Sequence, residues 1–526
     1  MQKAIKISLH QINSNPGDFK FNQNKIDEGI DRAFASKSEL LIYPVQSITG
    51  MAYNSLFEKE HFLNHAKKTM LHIADRLKNT PLSMLISCPI PMGKKYEQPF
   101  LITHQGIFDI IHDKKGIFNI NGHPVVLFND PPRRTFRIEK KYSIQDALIV
   151  HLNNRPFHTG IQAEREKTGE WIANYTGNYF LEINRVGTQD HLVYYGSSFL
   201  KSAEGETRMR AKSFTEDFVD FDLDLIKTTD VLNPLPDNTF SRQQAIVQSI
   251  QDYIRKNGFR KVLVGLSGGL DSALVTTLAV EALGKDNVFC MMMPSPFSSL
   301  GSVADSEKLV QNLGIQSAKI PITDVYKAVS NTMAPFFGER TFNTTDENMQ
   351  ARIRGLYLMA VSNEYGWVVL NTGNKSETAT GYSTLYGDTI GGYAPICDLY
   401  KTECYQLASL INTQKGYDHI PIEILEKAPS AELAPGQTDQ DSLPSYENLD
   451  EILKFILDQN MTLEAIVERG FEEKDVQKAF RLLRINEYKR RQEPLGPRLS
   501  KSSFIQDIDF PITNGFKEDL GTGGLS

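Results

Sequence analysis

Residues 261–284 of this 526-residue chain read KVLVGLSGGLDSALVTTLAVEALG: a short apolar strand, a turn of serines and glycines, and a helix ended by Gly284. Gly268 and Gly269 let the backbone approach oxygen atoms closely, and the helix start behind them presents free N–H groups and positive partial charge. Ser267 and Ser272 add hydroxyl donors. The unit reads as an anion cradle. It is not the GxxxxGK[ST] loop, because no lysine follows the glycines. Asp271 would repel a bare phosphate, which makes sense if it holds Mg²⁺ that bridges to the phosphates. A lone Ser-Gly-Gly would be an ordinary small-residue turn; the strand before it and the helix after it give this one its meaning.

The flanking sequence extends the pattern. Ser241 can cap a helix whose apolar face is Ile246, Ile250, Tyr253 and Ile254, stopping at Gly258. NVFCMMMP (287–294) reads as the next strand, SVADSEKLVQNLG (302–314) as a helix, and SAKIPI (317–322) as strand-like. Strands alternating with helices imply a parallel sheet wound by right-handed crossovers. The first half alternates more loosely, with strand-like AIKISL, ELLIYP, SMLISC, PVVLF, ALIVHL and LEINRV, and suits a sheet-rich α/β domain. Prolines and polar turn residues in LIKTTDVLNPLPDNTF interrupt the hydrophobic pattern. This divides the chain into a domain over 1–225, a linker over 226–240 and a domain over 241–526. Ten of the eleven histidines precede residue 200, so the halves differ chemically.

Composition narrows the class. Hydrophobic residues make up 40% and charged residues 23%, enough to bury cores, and 57 Lys+Arg against 64 Asp+Glu leave a net charge of −7. That balance argues against wholesale coating of nucleic acid or anionic membrane. No apolar run approaches the roughly 18 residues of a membrane span. The start, MQKAIKISLHQ, carries no signal-peptide core. Cys88, Cys290, Cys397 and Cys404 are too few and too scattered for a disulfide framework or a CxxC metal site. A cytoplasmic multi-domain protein with no membrane or nucleic-acid partner is expected.

SGGLDS resembles the pyrophosphate-binding loop of ATP enzymes that cleave between the α- and β-phosphates. Four further blocks resemble NAD⁺ synthetases: TDENMQARIRGLYLMAVSN (345–363), NTGNKSETATGYSTLYGDTIGGYAPICDLYKT (371–402), APSAELAPGQTDQDSLPSYENLDEIL (428–453) and NEYKRRQEP (486–494). The first half is similar to the nitrilase-type glutaminase domain of glutamine-dependent members, through SLHQINSNPGDFKFNQNKI (8–26), HLNNRPFHTGIQAEREK (151–167) and EINRVGTQDHLVYYGSSF (182–199). The resemblance implies an α/β fold: a nitrilase-like αββα sandwich, then a Rossmann-like parallel-sheet ATP-pyrophosphatase domain. It implies ATP and deamido-NAD⁺ as substrates, Mg²⁺ as cofactor and a homodimer. The nicotinate carboxylate would attack the α-phosphorus of ATP, and ammonia would then displace AMP. Such a carboxylate is already nucleophilic, so the work is alignment and charge neutralisation.

Roles follow from the matched motifs. Gly265, Leu266, Ser267, Gly268, Gly269, Leu270, Asp271 and Ser272 correspond to the ATP-binding stretch, and Thr372 to an ATP-contacting threonine. Asp271 and Glu377 are the implied metal ligands, and Glu377 also meets the substrate. Asn348 and Arg352 match substrate contacts on a helix; Arg354, two residues on, cannot share a face with Arg352. Tyr382, Ser383, Thr384 and Leu385 match the deamido-NAD⁺ segment. Asp388 could receive a proton from ammonia or ammonium. Lys401 and Lys489 resemble phosphate and substrate contacts, although Lys489-Arg490-Arg491 alone would read as a solvated basic run.

The first half departs from its family. Nitrilase-type domains use a Glu base, a Lys and a Cys nucleophile. Val45 stands at the base position, the lysine falls near Lys114, Phe128 replaces the nucleophile and Arg155 replaces a serine that helps hold glutamine. The expectation is a dead glutaminase and an enzyme fed by free ammonia, with a working glutaminase as the alternative. Two other readings compete: another ATP-pyrophosphatase ligase acting on RNA, weakened by the acidic balance, and a non-catalytic nucleotide sensor, weakened by the intact SGGLDS and Glu377.

Overall fold

The computed structural model describes residues 5–51, 54–89, 97–111, 116–128, 144–223, 231–434 and 436–516. The chain divides into two compact units, Met1–Asp237 and Asn238–Ser526. In chain order the first contains β1 (Lys6–Gln11), β2 (Leu40–Ile42), β3 (Ser83–Pro89), β4 (Glu97–Thr103), β5 (Gly106–Asp109), β6 (Ile117–Ile120), β7 (His123–Phe128), β8 (Leu148–Leu152), β9 (Tyr179–Ile183), β10 (Val186–Gln189), β11 (Leu192–Tyr195), β12 (Phe199–Lys201), β13 (Thr207–Arg210), β14 (Asp217–Asp222) and β15 (Val231–Leu232). One sheet has the order β14-β1-β2-β3-β4-β5 and the other β15-β13-β12-β9-β8-β7-β6, with β10 and β11 as a separate hairpin.

Side-chain alternation at period two gives each strand one face toward the partner sheet and one toward a helix. Leu85 of β3 and Val125 and Leu127 of β7 lie in the core between the sheets. Met84, Ile86 and Cys88 turn outward under the helices Phe19–Ser36 and Glu60–Leu77. Val126 and Phe128 turn outward under the helix Ile161–Thr176. The result is the expected αββα layering. The loose alternation of the first half is explained by this double burial, which leaves few polar positions to mark the period.

In the second unit β16 (Val262–Leu266), β17 (Val288–Met292), β18 (Gln316–Lys319) and β19 (Val368–Leu370) form a parallel sheet of order β18-β17-β16-β19. The chain leaves β16 in one direction and returns on its other side at β19. The carboxyl end of β16 is therefore the switch point, where open parallel sheets bind ligands. The expected SGGLDS cradle starts there. A separate helical layer packs the helix Tyr446–Gln459 against Glu473–Ile485 and the short helix Lys375–Thr380.

Ser241 does not cap its helix. The helix runs Asn238–Lys256, beginning as soon as Pro236 is passed, and Ser241 is buried within it. Of the 226–240 stretch, 226–230 lie outside the described residues. Val231–Leu232 form β15 against β13, and Asn238 already opens that helix.

Candidate active site

The cradle is built by its own hydrogen bonds. Ser272 Oγ accepts from the Ser267 amide at 3.2 Å and donates to the Gly269 carbonyl at 3.1 Å, while the Gly269 amide donates to Ser267 Oγ at 3.2 Å. Gly268 sits at φ +83°, and a Cβ there would lie 2.3 Å from the Ser302 carbonyl oxygen at the start of the helix Leu300–Leu313. Only glycine meets both conditions. The helix Leu270–Leu283 starts at this turn.

Above the cradle is a cavity of about 300 Å³. Gly265, Leu266, Ser267, Gly269, Leu270, Asp271 and Ser272 line it, as do Thr372, Glu377, Tyr382, Ser383, Asp388 and Lys401. Thirteen of the sequence-derived positions thus converge from four separate stretches. At one corner the Lys401 ammonium donates to Asp271 Oδ2 at 2.5 Å and lies 3.8 Å from Glu377 Oε1. The Lys401 backbone amide donates to Ser376 Oγ at 2.9 Å, fixing the start of the helix Lys401–Lys415 against that of Glu377. Burial alone would lower the Lys401 pKa, but Asp271 and Glu377 outweigh it and hold the ammonium charged. Burial, and then Asp271, push the Glu377 carboxyl well above its usual range. Asp439 joins this corner; burial and Asp271 raise its carboxyl against the Tyr446 hydroxyl, which donates to it at 2.9 Å. Asp271 Oδ1 and Asp439 Oδ1 are both buried without a hydrogen-bond partner.

The other positions are arranged around the loop 381–389. Thr384 Oγ1 donates to Asn348 Oδ1 at 2.7 Å, and Arg352 Nε donates to the Leu385 carbonyl at 3.1 Å. Arg352 is exposed, whereas Arg354 lines the cavity and donates to the Met293 carbonyl at 3.1 Å. Burial lowers Arg354 to about 10. The expectation that the two arginines diverge holds, but the one facing the cavity is Arg354. Lys489 is not among the residues lining that cavity. Its ammonium donates to the Gly381 and Ser383 carbonyls, both at 2.7 Å. It therefore holds the loop in place. Nor is 489–491 a solvated run, because Arg490 is buried and donates to the Ala379 carbonyl.

Asp388 opens onto the cavity while protein atoms surround its carboxyl. Desolvation raises it to about 6, against the Thr384 amide, which donates to Oδ1 at 2.6 Å. Sequence reasoning missed Lys427, Glu432, Asp439 and Glu493, all of which line the cavity. Each lies within or beside a block whose overall likeness was legible, but none carried a spacing signal of its own.

In the first unit Val45 is half-buried in the turn after β2, Phe128 ends β7, and Arg155 donates its amide to Asn153 Oδ1. Lys114 lies outside the described residues. Cys88 is buried, and desolvation and Glu97 push its thiol well up. The turn does have a carboxyl beside it: Glu97 of β4 accepts from Ser87 Oγ at 2.9 Å, and Ser87 Oγ accepts the Gln46 amide at 2.8 Å. Burial raises Glu97 to about 8.

The NAD synthase family model matches residues 242–493. A glutamine-dependent NAD(+) synthetase of Thermotoga maritima is 35% identical over 98% of this chain and 100% of its own length. One of Synechocystis sp. is 40% identical over 97% and 99%. Among solved structures, a glutamine-dependent NAD⁺ synthetase of Acinetobacter baumannii in complex with ADP is 29% identical over 98% and 100%, with a TM-score of 0.75. Relatives matched end to end and named glutamine-dependent overturn the expectation of free ammonia as nitrogen donor and of a first half without glutaminase activity. That expectation rested on single positions along the chain.

Replacing Gly268 with alanine should weaken ATP binding about 10- to 100-fold through backbone strain of about 1–3 kcal/mol and the Ser302 clash. Calorimetric titration of the full chain with ATP measures this; unchanged affinity would remove the cradle. The end-to-end relatives and the family match over 242–493 place the chain in the NAD⁺ synthetase family, in its long form with a nitrilase-like unit ahead of the synthetase.

Proposed function

We propose that the chain converts deamido-NAD⁺ to NAD⁺, using ATP, Mg²⁺ and glutamine as nitrogen donor, and releases AMP and pyrophosphate. The observation that carries the reading is one cavity joining the SGGLDS cradle to the Asp271–Glu377–Lys401 corner. Glutamine is supported by the full-length relatives' names. A cytoplasmic location agrees with ATP and dinucleotide substrates, with four buried free cysteines and with the lack, among the described residues, of any helix long and apolar enough to cross a membrane.

The corner suits Mg²⁺. Mg²⁺ favours one or two carboxylates plus phosphate oxygens and water. Three carboxyl groups surround one lysine here, and two carboxylate oxygens are buried without a partner. Asp271 and Glu377 would hold the ion, which supplies charge neutralisation at the leaving pyrophosphate. Lys401 orients Asp271 by donating to its Oδ2 at 2.5 Å. The cradle amides hold the phosphates, and the nicotinate carboxylate attacks without a base because it is already ionised.

We further propose a homodimer through the helices Thr323–Phe337 and Thr344–Tyr365. The first buries no residue, and the second presents exposed Arg352, Leu356, Met359 and Ala360 on one stripe. Light scattering should give twice the chain mass; a monomer at micromolar concentration would overturn this.

Given deamido-NAD⁺, ATP, Mg²⁺ and glutamine freed of ammonia, the protein should form NAD⁺, AMP and pyrophosphate in equal amounts. ADP and phosphate as products would sink the reading, and NAD⁺ formation with ammonium but none with glutamine freed of ammonia would sink the glutamine assignment. Asp271→Asn and Glu377→Gln should each lower kcat about 100- to 1000-fold at saturating Mg²⁺. Turnover near wild type in either variant would remove that residue from the metal site.

A further inference from the structure

Glu493 follows the buried Arg490 turn and faces the same cavity as Asp388. Thr378 Oγ1 donates to Glu493 Oε2 at 2.8 Å. Thr378 is the next residue after Glu377 on the helix Lys375–Thr380, so the metal corner and Glu493 are served by adjacent positions turned about 100° apart. The reacting carbonyl of an acyl-adenylate is one oxygen removed from the α-phosphorus. A group in the same cavity, held by the residue next to the metal corner, is therefore close to where nitrogen attacks.

We propose that Glu493 is the proton acceptor for the attacking nitrogen, working as a pair with Asp388. This rests on the proposed synthetase reaction and names a group that none of the matched motifs assigns. The nitrogen lone pair forms the C–N bond, the C–O bond to AMP breaks, and AMP leaves with the electron pair. The extra proton on nitrogen passes to the Glu493 carboxylate. When nitrogen enters as ammonium, a first proton passes to Asp388, so two carboxylates match the two protons shed.

The electrostatics agree. Burial raises Glu493 to about 7, against Thr378, Arg490 and Lys489, with the Asp388 charge adding to the rise. The charged and titratable groups around the pair are Lys489 and Arg490 from the preceding turn, Arg354 beside Asp388, and the Cys397 thiol, which Asp398 and Glu493 help to keep protonated. An acceptor poised near neutrality takes a proton most effectively at working pH.

The full chain is assayed with saturating ammonium chloride, reading NAD⁺ formation beside deamido-NAD⁺-dependent exchange of pyrophosphate into ATP. Adenylation sheds no proton to a base. In Glu493→Gln, NAD⁺ formation should therefore fall about 100-fold while exchange stays within about threefold. Glu493→Asp should recover part of the loss. The rise of kcat through neutral pH that tracks ionisation of the pair should change shape in the Gln variant. NAD⁺ formation within about threefold of wild type, or an equal loss of exchange and NAD⁺ formation, would overturn the assignment. Wild type lacking both exchange and NAD⁺ formation would overturn the synthetase reading itself.

Discussion

The buried pair between Lys401 and Asp271 ties the second unit's chemistry to its fold. It joins the first turn of the helix after β16 to the first turn of the helix Lys401–Lys415, about 130 residues later in the chain. Two charges taken from water cost several kcal/mol each unless geometry and further contacts compensate. Here the compensation is Glu377 on the other side of the ammonium and the Ser376 hydroxyl at its backbone. A hydrophobic pair of similar size would stabilise the fold as well or better. The charges make sense as a site waiting for phosphates and a cation.

The same economy appears where backbone meets backbone. Gly268 lets the cradle touch the start of the helix Leu300–Leu313. A Cβ at Gly387 would lie 2.8 Å from the Ala351 side chain and 2.9 Å from its carbonyl carbon, so the loop 381–389 lies directly on the helix Thr344–Tyr365. Lys489 and Asn486 then fasten that loop and its helix through carbonyls, Asn486 Nδ2 donating to the Thr380 oxygen at 2.7 Å. Lys489, which resembles a substrate contact in the sequence, thus fastens a loop. A lysine aimed at carbonyl oxygens and one aimed at phosphates have the same sequence signature, and only tertiary placement separates them.

Legibility followed locality. The strand–turn–helix at 261–284 was readable because its periodicity, glycines and helix start lie within one stretch, and the parallel sheet followed from its repetition. β4 to β6, β10 to β15 and β19 were not; most are short, and strands such as Phe199–Lys201 acquire their identity from neighbours rather than from any run of their own. The nitrogen donor was misjudged because Val45, Phe128 and Arg155 were weighed position by position, whereas the end-to-end likeness to glutamine-dependent synthetases bears on the first half as a whole. Glu493 escaped notice at the end of a basic run because nothing local shows that the run is buried.

Charge is ordered along the cavity, and that order suits a two-step reaction. The cradle end is made of amides and hydroxyls, which bind anions without adding charge of their own. Next comes a corner with three carboxyl groups to one lysine, where burial and then Asp271 push the Glu377 carboxyl well above its usual range. In the same cavity, burial raises Asp388 to about 6 and Glu493 to about 7. An anion binding at the first position and a cation at the second relieve each other, whereas the third needs neither to be complete. On the proposed reaction, adenylation would draw on the first two groups and amide formation would add the third, so the proposed acceptors for the second step would stay poised while the first proceeds.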